Sequence, residues 1–222
     1  MIERYTLPEM GAIWTDEARM RAWLEVEIAA VKAWNRLGRI PDDAVREIEA
    51  KAGFDVARVN EIEQTTTHDV IAFLTNVTEH VGEAGKYIHY GMTSSDMLDT
   101  ALALQLKRAG LLLERDLVAL GQVLKRRAVE FRDAVEVGRT HGIHAEPITF
   151  GMKLGMWAFE ISRHLKRMRI VTVNASVGKV SGAVGASVSY THLRAHETVL
   201  DLVCRLLLEK KNNHTLPYLH FS

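Results

Sequence analysis

Between Ser95 and Asp133 the chain reads SDMLDTALALQLKRAGLLLERDLVALGQVLKRRAVEFRD. Apolar residues recur at Leu98, Leu102, Leu106, Ala109, Leu113, Leu117, Leu120, Leu124, Ala128 and Phe131, with spacings of four, four and three repeated three times. That eleven-residue period lies close to the α-helical repeat, so the stripe runs nearly straight with a slight right-handed drift. At 1.5 Å per residue the helix is about 55 Å long. A helix of that length needs partners along its whole side, which predicts a bundle and contacts between subunits. Gly110 and Gly121 interrupt it at about 1 kcal/mol each relative to alanine, which points to close helix approach there.

The flanking sequence is helical in the same way. Thr15 caps a helix with Asp16 and Glu17 in its first turn, running to Leu37 and stopped at Gly38. Pro41 opens a short helix from Asp42 to Ala52, and another runs from His68 to Val81. The glycine-punctuated stretch from Gly82 to Ser95 and the segment from Val135 to Pro147 read as loops. A last helix spans Thr149 to Ala175. The fold class is therefore all-α, with a helical N-terminal domain (residues 1–93) followed by the start of a long-helix bundle (94–187).

Lys plus Arg balance Asp plus Glu, 28 against 28, which disfavours a general nucleic-acid or anionic-membrane surface. There is neither an apolar run long enough to span a bilayer nor an apolar signal core at the start. The single cysteine, Cys204, has no internal partner, and a reducing cytoplasmic setting is expected.

Four polar clusters fall at helix boundaries, where backbone groups are free and side chains converge. Arg4-Tyr5 offers a planar fork for phosphate or carboxylate beside a ring and hydroxyl. In Thr65-Thr66-Thr67-His68-Asp69, Thr67 is placed to cap the following helix, with Asp69 in its first turn. His68 there is either an incidental neighbour of the cap or a hydrogen-bonding, acid–base group. In His89-Tyr90-Gly91-Met92-Thr93-Ser94-Ser95-Asp96, hydroxyls and N–H groups gather at the mouth of the long helix, suited to a carboxylate or phosphate. Capping by Ser94 or Ser95, with Asp96 in the first turn, is compatible with that use. Gly138 to Pro147 holds Arg139, His141, His144 and Glu146. Metal ligation by the two histidines and Glu146 is disfavoured, since no cysteine or acidic cluster completes a site.

Together these clusters resemble the adenylosuccinate lyases of the aspartase/fumarase superfamily. Glu3-Arg4-Tyr5, Thr67-His68-Asp69-Val70, His89 to Asp96, Gly138 to Pro147 and Gly178-Lys179-Val180-Ser181-Gly182-Ala183-Val184-Gly185 stand in that family's order and spacing. Ile143 followed by His144, where the fumarase and argininosuccinate lyase branches tend to carry a glutamine at the first position, favours the adenylosuccinate branch. The resemblance implies that Arg4 and Tyr5 hold the nucleotide phosphate end, and that Thr67, His68 and Asp69 contact substrate. It implies further that Thr93 and Ser94 bind the succinyl carboxylates and that His89 supports them. His141 is implied as the catalytic acid with Thr140 beside it, and Ser181 as part of a turn near the site. The implied reaction is a β-elimination releasing fumarate from a nucleotide substrate, without metal or organic cofactor, in a homotetramer whose neighbouring subunits complete each site.

The family's base is a serine in an S-S-x-M-P-x-K-x-N-P loop, a pattern these 222 residues do not contain. The expectation is an N-terminal portion, inactive by itself, whose long-helix stripe is exposed. A sister fumarate-releasing lyase and a non-catalytic helical assembly fragment are the rival readings. Residues 188–222 hold four of the ten histidines and continue no apolar stripe, so they read as a non-native tail that packs poorly.

Overall fold

The structure, a computed structural model, describes residues 2–186 and Val203. It is helical apart from one hairpin. Helices α1 (Pro8–Ile13), α2 (Asp16–Arg36), α3 (Asp42–Lys51), α4 (Val56–Thr66) and α5 (Asp69–Val81) precede the long α6 (Ser94–Glu130). Strands β1 (Val135–Thr140) and β2 (Ile143–Thr149) lead into α7 (Phe150–Ala175). The chain divides into two compact units: residues up to Arg108 with the segment from Ala175, and Ala109–Asn174. Among the described residues no helix is long and apolar enough to cross a membrane.

In the first unit, Thr15 caps α2 by accepting from the Ala18 N–H at 3.1 Å. One face of α2 (Trp23, Val26, Ala30, Val31 and Trp34) is buried against residues of α3, α4 and α5, including Ile48, Val59, Phe73 and Val77. Trp23 meets Phe73 edge-on, with ring centroids 5.3 Å apart. Helices α1 and α4 are not among the predicted elements. α4 is started by Asp55, whose carboxylate accepts from the Arg58 N–H at 3.0 Å.

The long helix carries two apolar faces rather than one. Its contribution to the first unit's core is Met97, Ala101 and Leu104. The predicted stripe lies mostly outside that face: Leu102, Leu106, Leu113 and Leu120 are 40–47% exposed. Met97, Ala101 and Leu104 face the core, while Leu102, Leu106, Leu113 and Leu120 lie on another side of the helix. Gly110 is a point of close approach, since a Cβ there would lie 2.4 Å from Thr172 Oγ1 of α7.

The loop predicted for Val135–Pro147 is instead an antiparallel hairpin, with Val135 opposite Thr149 and Thr140 opposite Ile143. Its two-residue connection, His141-Gly142, has φ of 48° and 74°, the pair of positive values that a type I′ turn requires. The register shifts between Val137 and Arg139. There the strands come so close that a Cβ on Gly138 would lie 2.3 Å from the Glu146 carbonyl oxygen. The tail, residues 188–222, lies outside the described residues except for Val203, which is buried in the first unit's core.

Gly138→Ala is expected to lower stability by about 1–3 kcal/mol through backbone overpacking. Gly155→Ala, in α7 with nothing within 4 Å of the added methyl, should stabilise the helix by up to about 1 kcal/mol. Urea unfolding of the two variants reads both signs.

Candidate functional site

Three of the polar clusters contain a residue whose backbone is held in the left-handed region. Among the described residues, the non-glycine positions with positive φ are Thr67 (51°), His89 (63°) and His141 (48°). Non-glycine residues avoid this region unless their surroundings impose it, and such positions concentrate at functional sites.

Thr67 does not cap α5 as predicted. It closes α4, and His68 stands at the start of α5, where its Nδ1 lies 3.5 Å from the Ile71 N–H. A left-handed residue cannot also supply the extended backbone of an N-cap, so the capping role moves one position on. Thr67, His68 and Asp69 are all exposed. Arg4 and Tyr5 lie in a short 3₁₀ turn, Glu3–Tyr5, with the Arg4 guanidinium 4.8 Å from the centre of the largely exposed Tyr5 ring.

The segment from His89 to Asp96 is the most constrained of the clusters. Two buried carboxylates hold it, Glu27 of α2 at 1% exposure and Asp96 of α6 at 0%. Glu27 Oε2 accepts the His89 backbone N–H at 2.8 Å, and Glu27 Oε1 lies 2.7 Å from the ring Nδ1. Trp34 Nε1 donates to the Tyr90 carbonyl at 2.8 Å. Asp96 Oδ2 accepts the Thr93 N–H at 3.0 Å, so the predicted Ser94 or Ser95 cap is replaced by a reach-back from the first turn, half of a capping box. Asp96 Oδ1 accepts from Ser181 N–H at 2.9 Å and Gly182 N–H at 3.2 Å. One carboxylate thus joins Thr93 to the distant Ser181 turn. Lys179 strengthens the junction, donating to Ser95 Oγ at 2.8 Å and lying 3.2 Å from Asp99.

Burial is the largest influence on His89 and disfavours its cation. The hydrogen bond to Glu27, with the charges of Glu27 and Asp96, outweighs it and holds the His89 pKa above the ordinary value. Thr93 and Ser94 are half-buried, leaving their hydroxyls beside the start of α6. Here the positive end of the helix dipole and the first free N–H groups favour an anion.

Thr140 and His141 belong to the second unit. Both are exposed at the hairpin tip, where Thr140 Oγ1 lies 2.9 Å from His141 Nδ1. Among the described residues no group of three His, Cys, Asp or Glu side chains could hold a metal ion. The first unit therefore brings His89, Thr93, Ser94 and Ser181 together, while the contacts of Arg4-Tyr5 and Thr67-His68-Asp69 are with their own neighbours.

Glu27 is a site residue that sequence reasoning misses. Its signal is a glutamate in register with Trp23, Ala30 and Val31, on the apolar face of α2, where a charge needs a buried partner. Asp96 is seen only as a first-turn acid, because its partners at Ser181 and Gly182 are remote in sequence.

The chain matches the model of a family described as lyase over residues 3–216, into the stretch read as a tail. It is 58% identical over 185 residues to the adenylosuccinate lyase of Synechocystis sp., covering 83% of this chain and 43% of that protein. Against the adenylosuccinate lyase of Bacillus subtilis it is 51% identical over 207 residues, covering 93% of this chain and 47% of that protein. The chain thus spans somewhat under half the length of these relatives. Among solved structures it resembles a fumarate lyase from Mesorhizobium sp. (TM-score 0.82, 30% identity, 89% of this chain and 47% of that one). It also resembles a 3-carboxy-cis,cis-muconate lactonizing enzyme from Pseudomonas putida (TM-score 0.79, 31% identity, 92% and 47%). A family match over nearly the whole chain, joined to adenylosuccinate lyases as relatives at better than half identity, places this chain in the lyase family of the aspartase/fumarase superfamily.

Proposed function

We propose that the protein is an adenylosuccinate lyase, eliminating fumarate from adenylosuccinate and from the succinyl-carboxamide ribonucleotide of purine synthesis. The observation that carries this reading is the coincidence of backbone strain with the clusters: Thr67, His89 and His141 are the left-handed non-glycine residues, and each lies in a segment the family uses.

The chemistry follows from the residue types. A base removes the proton next to a substrate carboxylate, and charge builds on that carboxylate as the C–N bond breaks. Hydroxyl and N–H donors at Thr93 and Ser94, set in place before substrate arrives, stabilise that charge without reorganising. The departing nitrogen then takes a proton from His141, whose ring is steadied by Thr140. Arg4 and Tyr5 hold the phosphate end, and Thr67, His68 and Asp69 line the nucleotide. The base, a serine in the family's pattern, belongs to the part of the relatives' length that this chain does not span.

An acid exposed on a hairpin tip needs covering to work on a sequestered substrate. Uncovered apolar surface supports assembly into a homotetramer: Leu113 and Leu120 on α6, with Met156, Trp157, Phe159 and Ile170 on α7, are all 42–64% exposed. Neighbouring subunits then bring His141 to the Thr93–Ser94 segment. The cytoplasm is the proposed compartment.

Two experiments test this. Residues 1–186 joined to the remainder of the Bacillus subtilis relative should release fumarate, followed by ultraviolet absorbance, whereas the 222-residue chain alone should show no turnover. In the joined enzyme His141→Ala should lower turnover about 100-fold or more, with a smaller effect on substrate binding. An active enzyme indifferent to that change removes His141 from the mechanism. Separately, Asp96→Ala should destabilise the 222-residue chain by about 2 kcal/mol in urea unfolding, because three partly buried N–H donors lose a charged acceptor.

A further inference from the structure

We propose that Glu27 is a positioning residue for this reaction, its two oxygens fixing the backbone and the ring of His89 so that Nε2 is the nitrogen presented to substrate. The proposal rests on the lyase reading above and adds to it a residue on α2, away from the family's motifs.

Packing gives no reason for a glutamate here. Position 27 lies on the face of α2 that fills the first unit's core, and an apolar side chain would occupy it without the cost of burying a charge. Both carboxylate oxygens are spent on a single residue, His89. One bond holds the backbone N–H of a residue at φ 63°, a conformation that needs imposing. The other holds the ring.

An ionised carboxylate only accepts, so the hydrogen between Glu27 Oε1 and Nδ1 sits on the histidine. Among the described residues Nε2 has no hydrogen-bond partner, and the His89 side chain is 21% exposed, so that nitrogen is open to a ligand. The charged groups acting on the ring are Glu27 from α2 and Asp96 from α6, both anionic. Asp96 is already occupied by the N–H groups of Thr93, Ser181 and Gly182. Orientation of the imidazole therefore falls to Glu27, and the cation it favours presents Nε2–H as a donor to an anionic group of the substrate, beside Thr93 and Ser94.

Histidine ring nitrogens in the ¹⁵N-labelled 222-residue chain report the placement directly. The expected result is a His89 that keeps its proton on Nδ1 when neutral and titrates above free histidine. Glu27→Gln should move that titration to lower pH. In the joined enzyme Glu27→Gln should cut turnover about tenfold or more and shift the alkaline limb of the pH profile to lower pH, since less of His89 stays cationic. Glu27→Asp, with the charge retained but the reach shortened, should recover part of both. A wild-type His89 with its neutral proton on Nε2 overturns the proposal, and that result is readable even if Glu27→Gln fails to fold. So does an active joined enzyme in which Glu27→Gln keeps the parent's turnover and pH profile. An inactive parent counts against the lyase reading, while the ring-nitrogen data still decide how Glu27 holds His89.

Discussion

A buried carboxylate must find donors inside the protein, and Asp96 finds them in three backbone N–H groups, one from the nearby Thr93 and two from the remote Ser181–Gly182 turn. Hydrogen bonds to a charged group contribute about 1.5–3 kcal/mol each, and leaving any of these donors unmade in the interior costs a comparable amount. That constraint sets the start of α6, the height of the Thr93–Ser94 segment and the position of the Ser181 turn together. Glu27 does the same for His89 from the other side. His89, Thr93 and the Ser181 turn are ordered by carboxylate acceptors of the chain itself, so their donors are set in place by the fold.

Much of the helical frame was legible from residue types alone. Thr15 with Asp16 and Glu17 marks the start of α2, and Gly38 marks its stop, because capping and left-handed termination are local effects. The hairpin was not legible in the same way. Histidines, glycines and charges between Gly138 and Pro147 draw attention to chemistry, and Pro147 argues against a strand. The turn signal lay in His141-Gly142 between Thr140 and Ile143, with β-branched residues on either side. The α6 stripe is legible along the sequence, and its leucines are exposed as expected; the second face of the helix, the one that enters the first unit's core, is not. Periodicity identifies an apolar face without saying whether the chain's own core or another helix covers it, and Met97-Ala101-Leu104 took the inner role.

Site residues divide along the same line. Clusters built from neighbours in sequence, such as Thr93-Ser94 or Thr140-His141, declare themselves. Glu27 with His89 and Asp96 with Ser181 are pairings made only by folding, and their residues are unremarkable until the partner is seen. The positive φ at Thr67, His89 and His141 adds a physical reason to single out those segments, independent of any likeness to relatives.

Buried carboxylates hold the His89–Asp96 segment and the Ser181 turn in place in this chain by itself. Amide hydrogen exchange of the 222-residue chain tests this most directly. The amides of His89, Thr93, Ser181 and Gly182 should exchange slowly, alongside those of α2 and α5, although three of them lie outside any helix and Thr93 sits at the edge of one. Exchange at these four amides at the rate of an open loop, with α2 and α5 still protected, would contradict it.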